Sequence, residues 1–219
     1  MSVCHNGTVA ARLLDLLGPE ASQEVRRRGQ RHKYRRREVV FREGDIGDSV
    51  HLIERGHVIV RGDRPPAETL TLAVLGPGDY FGDVAVLSID GRRSAGVETL
   101  EECVTLAVAG TDFLALRDQY PEIRRVMTES LSRMCRRLVE RLLDGRHVDA
   151  SGRVLRQLVH LDQLFDGPIV FTQEDLANYV GVTRVTVNQI LGTLSDEGLL
   201  ELRRGSVRIV DANRLRDKI

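Results

Sequence analysis

The sequence predicts an α+β fold in which an N-terminal antiparallel β-roll, of jelly-roll type, is joined by a long helix to a C-terminal winged helix-turn-helix. Three observations carry this expectation. Short β-prone runs punctuated by glycine fill the stretch from about 32 to 110. A narrow apolar seam then recurs at steps of four and three from Ile123 to Leu142. Two short amphipathic segments, broken by Gly181, lie between Thr172 and Leu194. The expected division is 1–120 for the roll and its leading helices, 121–146 for the seam helix and 147–219 for the winged helix, which suits a chain of 219 residues.

Each element has a local cause. Residues from about 8 to 29 read as helical, with Ala10, Leu13, Leu14 and Leu17 on one face, a break at Gly18-Pro19 and a resumption from Ala21 to Arg28. Strands are expected at Val39–Phe41, Val50–Ile53, His57–Val60, Leu70–Leu75 and Val104–Val108, with turns at Gly44-Asp45, Gly56, Gly62, Gly76-Pro77-Gly78-Asp79, Gly91 and Gly96. Thr111-Asp112 are placed to cap a short helix ending near Tyr120, and Pro121 opens the long one. Along it Ile123, Met127, Leu131, Met134, Leu138 and Leu142 form a seam narrow enough for a coiled-coil partner, so symmetric pairing of two copies is expected. Gly145 to Asp149 reads as a hinge, and Ser151 to Phe165 as a helix with Val154, Leu155, Leu158, Val159 and Leu161 inward. Ile169–Phe171 is a short strand. Leu199–Leu202 and Val207–Val210 flank an Arg203-Arg204-Gly205-Ser206 turn and make the wing.

Composition narrows the function classes. Formal net charge is zero, so any attraction to phosphate must be local, and the 147–219 segment itself is close to neutral. Arg26–Arg28 and Arg35–Arg37 are basic clusters, read as solvated surface ahead of a nucleic-acid arm. Cys4, Cys103 and Cys135 are three in number and far apart, which argues against a metal site or a disulfide framework. Cys103 and Cys135 are expected to be buried, Cys4 to be an exposed thiol. No long apolar run and no signal pattern from Met1 to Thr8 point to a cytoplasmic protein without a membrane contact. The six histidines do not cluster, and no GxSxG, HExxH or P-loop occurs, so no catalytic residue is expected.

The helix pair carries the chemistry. Leu176, Ala177 and Val180 give the first helix an apolar face, Gly181 supplies the bend, and Thr183 caps a second helix facing inward through Val187, Ile190, Leu191 and Leu194. That leaves Arg184, Val185, Thr186, Asn188 and Gln189 outward at the start of the helix, where Arg, Asn and Gln match the donor and acceptor pattern of base edges in a major groove. Thr172 and Gln173 are placed near the duplex backbone, Thr183 counts with the DNA-binding residues at the start of the second helix, and Arg203, Arg204 and Arg208 give the wing phosphate-binding charge.

The arrangement resembles the CRP/FNR family, named for the cyclic-AMP receptor protein, over nearly the whole chain. Gly44-Asp45 to Ile53 with Gly56 resembles the family's first barrel turns, and Gly76-Pro77-Gly78-Asp79-Tyr80-Phe81-Gly82-Asp83 its GxGDxxGE segment. Arg92-Arg93-Ser94-Ala95 resembles its RSA, Asp149-Ala150-Ser151-Gly152-Arg153-Val154 its DVxGRV helix start, and the helix pair its TRQEIAxxVGxSRETVxRxL. The resemblance implies a transcription regulator that binds double-stranded DNA as a homodimer on a pseudo-palindrome and contacts RNA polymerase. It implies an effector site for a cyclic nucleotide, cAMP or cGMP, or another small anion, in which Gly82, Asp83, Arg93 and Ser94 hold the ribose phosphate.

Departures leave alternatives open. Asp83 stands where nucleotide-binding relatives carry Glu, and Arg141-Leu142 where relatives carry Thr-Ser against adenine. Arg64-Pro65-Pro66-Ala67-Glu68 is an unusual connector. The pocket therefore takes another cyclic nucleotide, binds weakly, or is vestigial in an effector-independent regulator. A cyclic-nucleotide-binding module acting on a protein partner is the alternative from a different class. Val185 replaces a Glu that would accept from cytosine and can touch a thymine methyl; Gln189 can read adenine.

Overall fold

A computed structural model describes residues 13–64 and 68–219. It is a mixed helix-and-sheet structure: a β-roll of two antiparallel four-stranded sheets, a long helix, and a C-terminal helical unit with a two-stranded hairpin. Helices α1 (Leu13–Leu16) and α2 (Pro19–Arg28) lead in, with Pro19 at the first turn of α2, where its missing N–H costs nothing. The expected helix before Leu13, Ala10 included, lies outside the described residues, as do Cys4 and Pro65 to Ala67.

The first sheet is ordered β1 (Gln30–Tyr34), β8 (Cys103–Ala109), β3 (Ser49–Arg55) and β6 (Tyr80–Phe81). The second runs β2 (Val39–Phe41), β7 (Gly96–Thr99), β4 (Val58–Arg64) and β5 (Glu68–Leu75). Three of these strands were not expected. β1 carries Arg31, His32 and Lys33 and lacks an apolar run because it is an exposed edge, where charge discourages further pairing. β6 is two residues long, and β7 is interrupted by the charged Glu98. Ile53, Val58, Phe81, Val97 and Cys103 pack together as one core.

Helix α3 (Asp83–Leu87) crosses the roll, and α4 (Gly110–Gln119) follows β8. The expected Thr111-Asp112 cap is not used: α4 starts at Gly110, and Ala109 at its N-cap has no side-chain oxygen to offer. Helix α5 (Pro121–His147) is continuous through Gly145, so the break falls at Val148 rather than across a Gly145 hinge. The seam also divides. Ile123 and Met127 are buried with Leu17, Val25, Phe113 and Leu116 in the protomer's own core. Leu131, Met134, Leu138 and Leu142 are exposed, as are Val139 and Leu143. Only the later half of the helix therefore presents a free apolar face; the first half is held because Tyr120-Pro121 turns α5 back along α4. Cys103 is buried, whereas Cys135 is exposed on α5, contrary to expectation.

Helix α6 (Ala150–Leu164) starts at Asp149, whose carboxylate accepts from the Gly152 N–H at 2.7 Å. Helices α7 (Gln173–Val180) and α8 (Arg184–Asp196), the hairpin β9 (Leu200–Arg203) and β10 (Ser206–Ile209), and α9 (Ala212–Arg216) complete the unit. Ile169 bridges Val207 with two backbone hydrogen bonds of 2.8 and 3.0 Å. One apolar core joins Val154, Leu158, Leu176, Val187 and Leu191 to Ile59, Val74 and Leu100 of the roll. The C-terminal unit is packed on the second sheet, and at roughly 1.5–3 kcal/mol per fully buried aliphatic side chain this contact is substantial.

Candidate nucleic-acid interface and effector pocket

The helix pair is built by caps. Thr172 Oγ1 accepts from the Asp175 N–H at 3.0 Å, and the Asp175 carboxylate accepts from the Thr172 N–H at 3.0 Å, a reciprocal capping box that starts α7. Gly181 ends it with φ +75, a left-handed conformation that needs glycine even though an added Cβ would meet nothing. Thr183 Oγ1 then accepts from the Thr186 N–H at 3.1 Å and starts α8. Val187, Leu191 and Leu194 are buried and Ile190 half-buried, so α8 is locked with its other face outward.

That outward face carries the expected side chains. Arg184, Val185, Asn188 and Gln189 are exposed, with Thr183 beside them, and Thr186 is half-buried. Arg184 and Gln189 make no side-chain hydrogen bond or ion pair among the described residues. Asn188 Nδ2 donates to Gln173 Oε1 at 3.0 Å, which ties α8 to the start of α7. Thr172 and Gln173 are half-exposed. Arg203, Arg204 and Arg208 are exposed on the hairpin, whose turn has Gly205 at φ +75.

Sequence reasoning missed what seats this unit on the roll. Asp175 is buried, and its carboxylate accepts from Arg37 Nη1 at 3.3 Å, from Arg37 Nη2, and from Arg61 Nη2 at 2.8 Å. Glu98 receives Arg37 as well, at 3.0 Å. Burial works to raise the Asp175 carboxyl, but the hydrogen bonds from Arg37 and Thr172 outweigh it and hold the group below the ordinary carboxylate range. A second tie comes from α5: Arg141 donates to the carbonyls of Leu72 at 2.7 Å, Thr71 at 3.1 Å and Tyr179 at 2.9 Å, with its Cζ 4.8 Å from the Tyr179 ring centre. In a third, His57 stacks on Phe165 at 3.8 Å, with Glu101 at 2.6 Å on one nitrogen and the Leu164 carbonyl at 3.1 Å on the other. The Thr172-x-x-Asp175 spacing is a capping-box signature legible in the sequence; nothing local marks Arg37 or Arg61 as its partners.

Above the second sheet, between the roll, α5 and α6, lies a cavity of about 630 Å³. This is the size range of small-ligand sites. Gly82, Asp83, Arg93 and Ser94 all line it. Gly82 has φ +89, and an added Cβ would stand 2.5 Å from Arg93 Nη1 and 2.9 Å from the Ser49 carbonyl, so only glycine fits. Asp83 opens α3 and is buried, which raises its carboxyl against the pull of its own N–H and that of Val84. Arg93 is buried with its Cζ 4.0 Å over the Phe41 ring. Its Nη1 donates to the Ser49 and Gly82 carbonyls at 2.8 and 2.9 Å and its Nη2 to Ser49 Oγ at 3.1 Å, while Nε–H is buried without an acceptor. Ser94 is exposed beside it. Val60, Leu72, Val74, Leu131 and Met134 give the far wall its apolar character, and Arg137 and His160 close the α5–α6 side. Burial, then Arg137 and Arg141, lowers the His160 imidazole. Arg141 is spent on the carbonyls named above, and Leu142 is exposed.

Comparison with known proteins agrees with this anatomy. Residues 31–120 match the cyclic nucleotide-binding domain, and residues 152–218 the Crp-like helix-turn-helix domain. The CRP-like cAMP-activated global transcriptional regulator of Mycobacterium tuberculosis is 30% identical over 205 residues, covering 90% of this chain and 91% of that one. The cyclic AMP receptor protein of Thermus thermophilus is 31% identical over 184 residues, covering 84% and 85%. Among solved structures, the c-di-GMP responsive global regulator CLP of Xanthomonas campestris superposes with a TM-score of 0.76 at 19% identity, covering 89% of this chain and all of that one, which shows a shared fold.

Proposed function

This chain belongs to the CRP/FNR family of DNA-binding transcription regulators, and from that premise we propose that it acts as a homodimer on a pseudo-palindromic duplex under the control of a cyclic nucleotide or another small anion. The observation that carries the reading is the outward face of α8, where Arg184 and Gln189 are exposed and unpaired on a helix whose opposite side is locked in the core. Arg184 suits guanine O6 and N7 through its forked donors, Gln189 suits adenine, and Val185 suits a thymine methyl. Thr172, Gln173, Thr183, Thr186 and Asn188 position the helix against sugar and phosphate, and Arg203 and Arg204 hold the backbone beside it. Leu131, Met134, Leu138 and Leu142 meet their copies in the partner, which places the two reading helices about one helical turn apart.

The cavity fits an anion on two counts: Gly82 lets the Arg93 guanidinium approach the backbone closely at the cavity wall, and Arg93 retains a buried donor without an acceptor. A ligand there touches α5 and α6 together, and it controls DNA binding only if it favours one arrangement of roll and winged helix over the other. Effector-independent regulation has support of its own, since Arg93 already satisfies two carbonyls and Arg141 is committed to β5 and Tyr179.

One titration tests both parts. Genomic duplexes are selected with the purified chain, and binding is measured without ligand, with cAMP and with cGMP. The selected duplex should be bound in preference to random DNA, more tightly with one of the nucleotides. Arg184→Ala should lose about 1–3 kcal/mol on it and relax choice at one base pair. An equal loss on every sequence removes Arg184 from base reading, and ligand-independent affinity leaves the effector-free regulator.

A further inference from the structure

Two buried histidines meet opposite chemistry. The ring nitrogens of His51 face the hydroxyls of Ser49 and Thr105, which donate as well as accept, so a neutral ring is satisfied. His57 faces only acceptors. Glu101 Oε1 lies 2.6 Å from its Nδ1, and the Leu164 carbonyl oxygen 3.1 Å from its Nε2. A neutral imidazole carries one N–H and serves one of these two; the imidazolium carries two and serves both. Without the second proton, a nitrogen lone pair is set against an oxygen.

His57 belongs to the roll and is fixed there. The Leu100 N–H donates to its carbonyl at 2.9 Å, and Gly56 before it turns at φ +81. Its other contacts cross to the winged-helix unit. Leu164 is the last residue of α6, so its carbonyl is among those that a helix end leaves without an intrahelical N–H. The negative end of the helix dipole lies there, and α6 has no basic residue of its own in its last turn. The Phe165 ring stacks on the imidazole at 3.8 Å and 16°. Gly76 makes room for this approach: an added Cβ would stand 2.8 Å from His57 Cδ2 and 3.0 Å from Leu164 Cδ1. The charged groups acting on the ring are Glu101, from the turn between β7 and β8, and Asp79, from the turn between β5 and β6. Burial raises the Asp79 carboxyl, against the Gly76 N–H, which donates to it at 3.0 Å, and against Arg137 and Arg133 of α5. From α6 come the Leu164 carbonyl and the Phe165 ring, neither of which ionises.

We propose that His57 is a positioning residue for the winged-helix unit, a clasp that closes on the C-terminal end of α6 when the imidazole takes a second proton and loosens when it gives that proton up. The inference goes beyond the DNA-binding reading and does not need it, because it concerns the seat of α6 and not the ligand of α8. The closed clasp requires the proton, so the seat gains strength as pH falls and loses it as pH rises. Deprotonation leaves the ring stack and the apolar contact of Ile59, Val74 and Leu100 in place, so the end of α6 loosens while the unit stays docked. One charge-assisted hydrogen bond, weakened by the 35% exposure of the Glu101 side chain, corresponds to about a tenfold change in that equilibrium.

Amide hydrogen exchange on the full chain reads the seat directly. Protection factors of the amides at the end of α6, that of Phe165 included, are measured at about pH 6 and about pH 8, on either side of the range in which imidazoles titrate. In the wild-type chain protection should be about tenfold greater at the lower pH. His57→Phe keeps a ring on Phe165 without a titrating nitrogen and should remove the difference. Glu101→Gln should remove it too, because its amide donates to Nδ1 while Nε2–H serves Leu164, which satisfies a neutral ring at both pH values. Wild-type protection that is the same at both pH values overturns the proposal. A difference that survives in His57→Phe belongs to Asp79 or another group and overturns it as well. Should His57→Phe fail to fold, Glu101→Gln decides alone: an undiminished difference in that variant overturns the clasp, and its loss with the fold intact supports it.

Discussion

His51 sits inside the first sheet with 6% of its surface exposed, its ring stacked on Phe81 at 5.1 Å and nearly parallel. Thr105 Oγ1 lies 3.2 Å from Nδ1 and Ser49 Oγ 3.1 Å from Nε2, so the neutral ring is hydrogen-bonded on both sides. Burial, then the charges of Arg93 and His32, lowers its pKa to about 4 against a small opposing pull from Asp48. In the unfolded chain the same imidazole takes a proton near its ordinary value of about 6.5. Between those two values the unfolded state binds more protons than the folded one, so stability falls as pH drops through that window. A difference of about 2.5 units, at about 1.36 kcal/mol each, amounts to about 3 kcal/mol when the window has been crossed. Denaturant unfolding at pH 7.5 and pH 4.5 measures it. His51→Gln, which stays neutral, should lose markedly less over that interval; parallel losses in both proteins would show that other groups dominate the acid limb. Nothing in the sequence singles out His51 among the six histidines, because its burial is made by Phe41 and Phe81, which come from separate strands.

Helix α5 shows what a periodic pattern determines and what it leaves open. Spacing of three and four places Ile123, Met127, Leu131, Met134, Leu138 and Leu142 on one side of a helix, and Pro121 marks its start, both legible in the sequence. The pattern is silent on whose surface each residue meets. Ile123 and Met127 went to the protomer's own roll because α4 folds back onto the first turns of α5. The two halves therefore predict different outcomes. Leu131→Glu combined with Leu138→Glu should leave stability of the isolated protomer nearly unchanged and halve the mass read by light scattering, since each leucine is now at least 40% exposed. Met127→Ala should instead cost about 2–5 kcal/mol in denaturant unfolding, as a buried large-to-small change does, and keep the mass of the wild-type chain. A dimer that survives both glutamates would move the interface off this face. The same limit explains β1, whose Arg31, His32 and Lys33 hide an edge strand, and contrasts with α7 and α8, where caps, a glycine turn and apolar spacing all pointed one way.

At the scale of the molecule, the helix pair α7–α8 is seated by a carboxylate that does two jobs. Asp175 closes the capping box of α7 and also anchors α7 to β4 and to the loop that carries Arg37. Arg37 holds a left-handed conformation, φ +61, which an L side chain adopts at a cost, and its bonds to Asp175 and Glu98 offset that cost. The apolar contact of Ile59, Val74 and Leu100 with the C-terminal unit lies beside this anchor, so ionic and apolar ties act together. Asp175→Ala removes the shared acceptor and leaves Arg37 and Arg61 with Glu98 as their remaining carboxylate, at 3.0 and 3.7 Å. Breaking a buried pair from one side costs about 3–5 kcal/mol, and the partial exposure of both arginines puts this case at the low end of that range. Because the lost bonds join two units, the effect should appear as lost cooperativity: calorimetry of the wild-type chain should give one transition, and of Asp175→Ala two, with the winged helix melting first. Asp175→Asn, which keeps an oxygen for the cap but not the charge, should fall between them. Acid should mimic the substitution, since a carboxyl held below its ordinary value contributes fully above about pH 4 and loses that contribution as pH falls through the depressed value. A single transition in Asp175→Ala, merely shifted to lower temperature, would place the coupling in the apolar contact and reduce the ion pairs to a local cap.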